Sequence, residues 1–243
     1  MYRPRLLSPR LLSPRLLSPR LSVPLAVAMC LSIASPTLAL TFSEEEFICP
    51  IDYTTSTRIV VNSYTVFDQR LDLRPVGALM SPPPIAVCES NGFVLYQQEF
   101  SDAELVRLRA IVESDEFRSV RAANSDWYIA AWLAEQMGQK GAETHWMYLY
   151  ASWEVEESDP ALNREYLMLA YDRFVLGERA AEPGSDTWWT ARLLRIELHR
   201  RLERFPEAAL LLEETEAGAV PEGYRSMLDR ERQLILERDA SAQ

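Results

Sequence analysis

Side chains suited to thiol or imidazole chemistry are few in this chain of 243 residues. They are three cysteines and two histidines: Cys30, Cys49, Cys88, His145 and His199. Because Cys30 lies in an N-terminal segment that we expect to be removed, two cysteines remain. An even pair in an oxidising compartment favours a disulfide, so we predict a bond between Cys49 and Cys88. Two reduced, buried thiols or half of a metal site are the alternatives.

Catalysis has little support in the sequence. An unrelated predicted helix separates the two histidines, and a lone histidine on an amphipathic helix is more often a packed or surface residue than a base. The chain contains no Gly-x-Ser-x-Gly elbow, no phosphate-binding glycine loop and no His-Glu-x-x-His motif. Cys49-Pro-Ile-Asp is not a dithiol redox motif, because the second cysteine is absent. We therefore predict no catalytic residue, no cofactor and no metal, and a protein that is not an enzyme.

Aromatic residues are more informative. Trp146, Tyr150 and Trp153 follow one another at spacings of four and three, so they share one face of a helix. Rings on such a face usually fill an interhelical core, which is the interpretation we favour. The functional alternative is a groove that grips a partner peptide.

A second group of residues supplies candidate contacts with a partner. Trp188 and Trp189 are adjacent, so both cannot point inward from one helix, and one of them is expected to be partly exposed. Together with His199 they form the predicted set of partner-binding residues.

The N-terminus has the organisation of a secretory signal peptide. Five arginines and no acid occupy the first twenty residues, and three tandem copies of Arg-Leu-Leu-Ser-Pro fill most of that stretch. An uncharged segment, 21–40, follows, and Thr37-Leu38-Ala39 supplies the small residues that a signal peptidase reads. We predict a signal peptide over residues 1–39 and an exported protein, periplasmic or extracellular. An uncleaved membrane anchor is the alternative, although Pro24 and Pro36 interrupt the apolar segment.

Net charge restricts the partners. The whole chain carries −11, and the first 39 residues contribute five positive charges and no negative one, so residues 40–243 carry −16. A surface with this excess of carboxylates repels nucleic acid and anionic membranes, since phosphate binding needs clustered cations. We therefore expect a protein or peptide partner, no nucleic acid, and no membrane span after cleavage of the signal peptide.

Residues 40–100 are predicted to form a small β module. Segments 57–61 and 64–67 are rich in β-branched and aromatic residues, and segments 85–88 and 93–96 flank Asn91-Gly92, a hairpin signal. The segment Ser81-Pro82-Pro83-Pro84 cannot join a sheet interior and is expected to form an exposed loop.

From Ser101 to about residue 239 the hydrophobic period becomes helical. Ser101 with Glu104 forms a capping box, and Asp159 followed by Pro160 is another helix start. Further helices are predicted over 125–137, 143–157, 160–181 and 185–204, from Phe205 onward, and over 222–236. Because the loops are short, six or seven antiparallel helices are expected to stack side by side. The predicted fold class is α+β, predominantly α.

The segment 194–209 resembles a tetratricopeptide-type hairpin. Phe205 stands where the second helix usually begins with an aromatic residue, and Ala208 is the small residue that allows two helices to approach closely. The first helix departs from the pattern, with Ile196 where a small residue is usual and His199 where an aromatic one is usual. The resemblance implies a concave surface that binds proteins or peptides.

Over roughly residues 47–236 the chain resembles a degenerate member of the uncharacterised bacterial DUF2225 group. Proteins of that group have a four-cysteine β module followed by tetratricopeptide-like helices. Cys49-Pro50-Ile51-Asp52 and Val87-Cys88-Glu89-Ser90-Asn91-Gly92-Phe93 stand where the group has its two cysteine knuckles. Ala151-Ser152-Trp153 and the segment 197–208 are similar to its helical motifs.

Each knuckle has lost its second cysteine here, to Asp52 and to Asn91. Two thiolates, a carboxylate and an amide make a poor zinc site. If the fold brings the knuckles together, the resemblance implies that Cys49 and Cys88 face each other and that a disulfide replaces the metal. A vestigial metal module is the remaining hypothesis for this region.

The sequence thus predicts an exported, non-enzymatic interaction module that binds a protein or peptide through its helical hairpins. The alternative is an enzyme or a small-ligand binder with a site between the β module and the helices, formed by Asp52, Asn91 and His145.

Overall fold

Two short antiparallel ribbons begin the described chain. The structure is a computed structural model that describes residues 40–139 and 144–243. The predicted signal peptide and the predicted helix start at Glu143 lie outside these ranges. Strand β1 (Thr41–Ile48) pairs with β2 (Thr55–Ser63), and β3 (Thr65–Gln69) pairs with β4 (Pro75–Ala78). β2 and β3 cover the predicted segments 57–61 and 64–67.

The sequence does not predict β1 and β4. β1 contains three consecutive glutamates, 44–46, and β4 begins with Pro75, and both residue types are depleted in strands. Pairing with β2 and β3 overrides these local preferences. In β4, a Cβ atom on Gly77 would come within 2.0 Å of the Thr65 carbonyl oxygen, so the close approach of β3 requires glycine.

The predicted hairpin over 85–96 is reduced to a single bridge, between Val87 and Val94. Asn91-Gly92 does make a tight turn, but that turn closes around Cys88, whose backbone groups bond to Gly92 and Phe93. The prediction of two strands here is wrong in extent, because pairing beyond the cysteine turn is limited to this bridge and the hydrogen bond from the Leu95 N–H to the Ala86 carbonyl at 2.9 Å.

Helices follow from residue 102 to residue 237. They are α1 (Asp102–Val112), α2 (Asp115–Ala123), α3 (Asp126–Gln136), α4 (His145–Val155), α5 (Pro160–Ala180), α6 (Asp186–Arg201), α7 (Phe205–Glu216) and α8 (Glu222–Glu237). The predicted fold class, α+β and predominantly α, is confirmed. The described ranges contain one helix more than the largest expected number, because α2 forms separately from α1.

Side-chain caps fix where several helices begin. Ser101 and Glu104 form the predicted capping box, with the Ser101 N–H donating to Glu104 Oε2 at 2.7 Å. Asp159 Oδ1 accepts from two backbone N–H groups at the start of α5. Ser114 caps α2 by accepting from the Phe117 N–H at 3.1 Å, and this signal was available in the sequence.

One hydrophobic core crosses the predicted boundary at residue 100. Buried side chains of the β module pack with buried side chains of α1 to α3: Cys49, Ile51, Cys88, Phe93, Leu108, Phe117, Ile129 and Leu133. Ser101 therefore marks a change of secondary structure within a shared core.

The later helices pack in chain order. Each helix from α3 to α7 packs against the next one, and α6 also contacts α8. Ala208 is fully buried in a cluster with Ile196, where α6 meets α7, as the small residue of a close helix pair should be. None of the helices in the described ranges combines the length and apolar character needed to cross a bilayer.

Candidate binding groove

Two turns with the same backbone pattern hold the cysteines. The Cys49 N–H donates to the Thr54 carbonyl at 2.8 Å, and the Cys88 N–H donates to the Phe93 carbonyl at 2.8 Å. In each turn the residue before that acceptor has positive φ, 60° at Tyr53 and 75° at Gly92. We name residues 49–54 and 88–93 the paired cysteine turns.

The paired cysteine turns meet at their sulfurs. Cys49 and Cys88 form a disulfide and both are fully buried. Asn91 Nδ2 donates to Asp52 Oδ2 at 2.9 Å, so the residues three positions after each cysteine are also in contact. The hydrogen bonds from Ser90 and Thr54 hold the pKa of Asp52 at about 2, which keeps its carboxylate ionised.

This arrangement does not fit Zn²⁺. The two sulfurs are bonded to each other in the disulfide and cannot act as thiolate ligands. The remaining possible metal ligands are an amide and a carboxylate that already accepts several hydrogen bonds. The described residues contain no group of three or more histidine, cysteine or acidic side chains placed to hold a metal ion. The turns therefore act as a staple for the core.

An open cavity lies where the β module meets α4. It has a volume of about 430 Å³, and we name it the apolar groove. Its lining residues carry no charged side chain: Val61, Tyr64, Val66, Leu73, Pro75, Leu79, Met80, Pro83, Trp146, Tyr150 and Trp153. The three aromatic residues with helical spacing serve both purposes: Trp153 is buried in an interhelical cluster against which Trp146 and Tyr150 pack, and all three also line the groove.

Ring contacts hold the aromatic wall of the apolar groove in place. The Tyr150 ring lies 4.9 Å from the Trp153 ring and 4.9 Å from the Trp127 ring, centroid to centroid. The Trp146 ring packs edge-on against Phe174 at 5.7 Å. Since such contacts fix ring orientation, the wall is formed before any ligand binds.

A network of buried charges holds the opposite wall. We name it the ionic clamp, and it consists of Arg70, Asp72, Arg74, Glu156 and Arg201. Arg201, from α6, contacts Asp72 at 2.8 Å and Glu156 at 2.5 Å. Asp72 and both other arginines come from the segment between β3 and β4, so the clamp ties that segment to α4 and α6.

The ionic clamp also sets the polarity of the groove. The Trp153 indole N–H donates to Asp72 Oδ2 at 3.0 Å, so its polar atom is satisfied behind the groove. Burial opposes ionisation of Glu156, but the hydrogen bond from Arg70 and the charge of Arg201 bring its pKa down to about 2. The charges are paired behind Trp153, and the groove is left apolar.

Comparison with protein-family models, with curated proteins and with solved structures finds no match to this chain. The geometry of its surfaces is therefore the basis for functional inference.

The predicted partner-binding residues lie away from the apolar groove, in α6. Trp189 is buried and stacks on Tyr224 at 5.3 Å, while Trp188 is half-buried beneath Arg192. His199 is buried against Tyr171 at 4.4 Å. Of the three, Trp188 offers the most surface to a partner.

The structure places two residues of the alternative site together and the third, His145, in a different cavity. Asp52 and Asn91 are hydrogen-bonded to each other and line one cavity with residues of α1 and α2. His145 begins α4, stacks on Phe174 at 4.2 Å and lines a different cavity with residues of α6. Burial lowers the pKa of His145 to about 4.

The sequence does not predict about half of the residues that line the apolar groove. Between residues 73 and 84, the sequence assigns a structure only to residues 81–84, as a loop, yet five residues of the segment 73–83 line the groove. Its sequence is apolar without being periodic, and that was the available signal: Leu73, Pro75, Val76, Leu79, Met80 and Pro83.

Proposed function

We propose that this chain is an exported, non-enzymatic module that binds a segment of a protein or peptide in the apolar groove. The observation that carries the proposal is the groove itself, a cavity of about 430 Å³ whose lining has aromatic and aliphatic side chains and no charge. Cavities of this size and character are the usual sites of recognition. Rigid aromatic walls lose little conformational entropy on binding.

The groove is suited to binding and not to catalysis. Its lining contains no histidine, cysteine, carboxylate, lysine or arginine, burial raises the pKa of the Tyr150 phenol, and the indole N–H of Trp153 already donates to Asp72. General acid–base and nucleophilic chemistry both need such a group within reach of a substrate. We expect uncharged side chains of the partner to enter the apolar groove.

Export and family membership are parts of the same proposal. The arginine-rich N-terminus and the cleavage motif support a signal peptide. The disulfide between Cys49 and Cys88 supports an oxidising compartment. The matched backbone of the paired cysteine turns supports descent from a four-cysteine module of the DUF2225 type, now stapled by sulfur.

A small apolar ligand is the second candidate. The groove lies between the β module and the helices, and about 430 Å³ is within the range of small-molecule sites. The fluorescent probe N-phenyl-1-naphthylamine separates the two candidates. A small-ligand site should bind it in one-to-one stoichiometry and release it only to other small apolar compounds, whereas a peptide site should release it to peptides.

Selection from a phage-displayed library of random dodecapeptides tests the peptide proposal. We expect enrichment on residues 40–243, loss of the enriched phage on the Met80→Glu variant, and retention on Leu236→Glu. Met80 lines the groove, and Leu236 is 78% exposed on α8. Enriched phage that bind Met80→Glu normally but not Trp188→Ala would move the site to α6. An unenriched library would count against peptide binding.

A further inference from the structure

The outer face of the β1–β2 ribbon extends the apolar groove. Register pairs Phe42 with Val61 and Glu44 with Ile59, and side chains two residues apart share a face. We name this surface the ribbon face: Phe42, Glu44, Glu46, Ile48, Thr55, Thr57, Ile59 and Val61. Val61 also lines the apolar groove, so the two surfaces are continuous.

Four of the eight residues of the ribbon face are apolar, and most of the face is open to solvent. Phe42 is 53% exposed, Ile48 is 58% exposed and Ile59 is 40% exposed. Tyr64 and Val66, at the groove entrance, are also exposed. Large apolar side chains scattered singly need no explanation, but a stretch that leads into an aromatic groove indicates a contact surface.

Two carboxylates on the ribbon face lack a cationic partner. Glu44 and Glu46 make no ion pair with any residue of the described chain. The ribbon's own arginine, Arg58, pairs with Glu45 at 3.1 Å, and both belong to the opposite face of the ribbon. An apolar partner would therefore meet two unpaired negative charges beside the groove.

We propose that the bound segment is cationic and apolar, with uncharged aromatic or aliphatic side chains in the groove and arginine or lysine next to them, paired with Glu44 and Glu46. The inference rests on the proposed function and adds the chemistry of the partner. Residues 40–243 carry −16, so long-range attraction favours the same kind of partner.

A second copy of this chain is a poorer occupant. A two-fold contact between two ribbon faces would bring the same patch of each copy together. Glu44 and Glu46 would then lie opposite carboxylates of their own kind, and like charges facing across an interface oppose association.

The test compares the peptides enriched by three proteins. Wild-type residues 40–243 should enrich apolar residues flanked by arginine or lysine. The Glu44→Lys, Glu46→Lys double variant should still enrich apolar residues but lose or reverse the flanking charge preference. The matched control is Glu45→Lys, on the opposite face of β1, which should select as the wild type does.

Affinity supplies a second readout. A synthetic peptide from the enriched pool should bind the Glu44→Gln, Glu46→Gln variant about fivefold more weakly, the order expected for two exposed ion pairs. Added salt should remove most of that difference.

The outcomes separate the two proposals. Apolar enrichment without a basic preference would overturn this inference and leave the peptide groove standing, whereas an unenriched library would remove both. Sedimentation of the wild type as a dimer that Phe42→Ser dissociates would assign the ribbon face to a second copy and overturn the cationic partner.

Discussion

The β module and the helical part differ in which large apolar side chains they expose to solvent. In the described chain, the aromatic members of the exposed large hydrophobic set all belong to the β module: Phe42, Tyr53, Tyr64 and Phe67. The corresponding set in the helices is aliphatic: Val106, Met168, Leu176, Leu210 and Leu236. The helical part thus presents rings to a partner inside the apolar groove, whereas the rings that are openly exposed belong to the β module.

The number of packed layers in each region explains why the β module openly exposes aromatic rings and the described helices do not. A two-stranded ribbon has no second sheet to cover both of its faces, so apolar residues on one face stay exposed unless a partner covers them. Helices α3 to α8 pack in sequence, and each buries its rings against a neighbour. The apolar groove lies where these two situations meet.

The largest effect should come from breaking the ionic clamp, which joins the two regions. The Arg70→Ala, Arg201→Ala double variant removes both guanidinium partners of Asp72, which is fully buried, and leaves its negative charge unbalanced. We expect the free energy of unfolding to fall by about 3–5 kcal/mol, measured by urea denaturation. Arg58→Ala, which breaks an exposed pair, is the control and should change little. Equal effects of the two variants would show that the clamp is not structural.

A slightly smaller effect is expected from the disulfide, which staples only the β module. The cysteines are separated by 39 residues, and opening a loop of this length should cost about 3–4 kcal/mol. The Cys49→Ala, Cys88→Ala double variant should therefore unfold at lower urea while the helical circular dichroism signal is kept. A wild-type protein that reacts fully with a thiol reagent before unfolding would contradict the bond.

A pH effect of opposite sign should distinguish two buried charge clusters. Burial and the charge of Glu197 raise the pKa of Glu231 from 4.5 to about 10, since a single arginine, Arg200, faces both carboxyl groups. The charge of the more distant Asp72 raises the pKa of Glu197, and the charge of Arg201 lowers it.

The native state therefore binds more protons than the unfolded state as the pH rises above 4.5. Its stability is fully present at low pH and is lost as the pH rises towards about 10, by at most about 1.4 kcal/mol per pH unit for one proton. Glu231→Gln should flatten this dependence in urea titrations. Glu156, whose pKa is lowered to about 2, should instead lose its contribution on acidification, and an alkaline loss that survives Glu231→Gln would refute the assignment.

The smallest stability effect should come from the ribbon face. Phe42→Ser removes an exposed ring that has no protein layer over it, so the free energy of unfolding should change by less than about 0.5 kcal/mol. Trp153→Ala, in the groove wall, should cost about 3–5 kcal/mol by comparison. If Phe42→Ser were as destabilising as Trp153→Ala, the ribbon face would be a folding element and not a free surface.

Local signals predicted the helices better than the groove. Ser101, Asp159 and Ser185 begin helices through caps that are readable in the sequence, and Phe205 begins α7 as expected. The groove joins segment 73–83 to α4 across about seventy residues, through an ionic clamp that also needs Arg201. No local pattern records a contact of that range, so the sequence could identify the aromatic face of α4 but not what lies opposite it.

Site-specific photocross-linking tests the binding site most directly. p-Benzoylphenylalanine placed at Tyr64, at the entrance of the apolar groove, should form an adduct with a peptide from the enriched pool. The same group at Leu210, exposed on α7, should form none. An adduct at Leu210 or at Trp188, with position 64 unreacted, would contradict the account and return the binding surface to the helices.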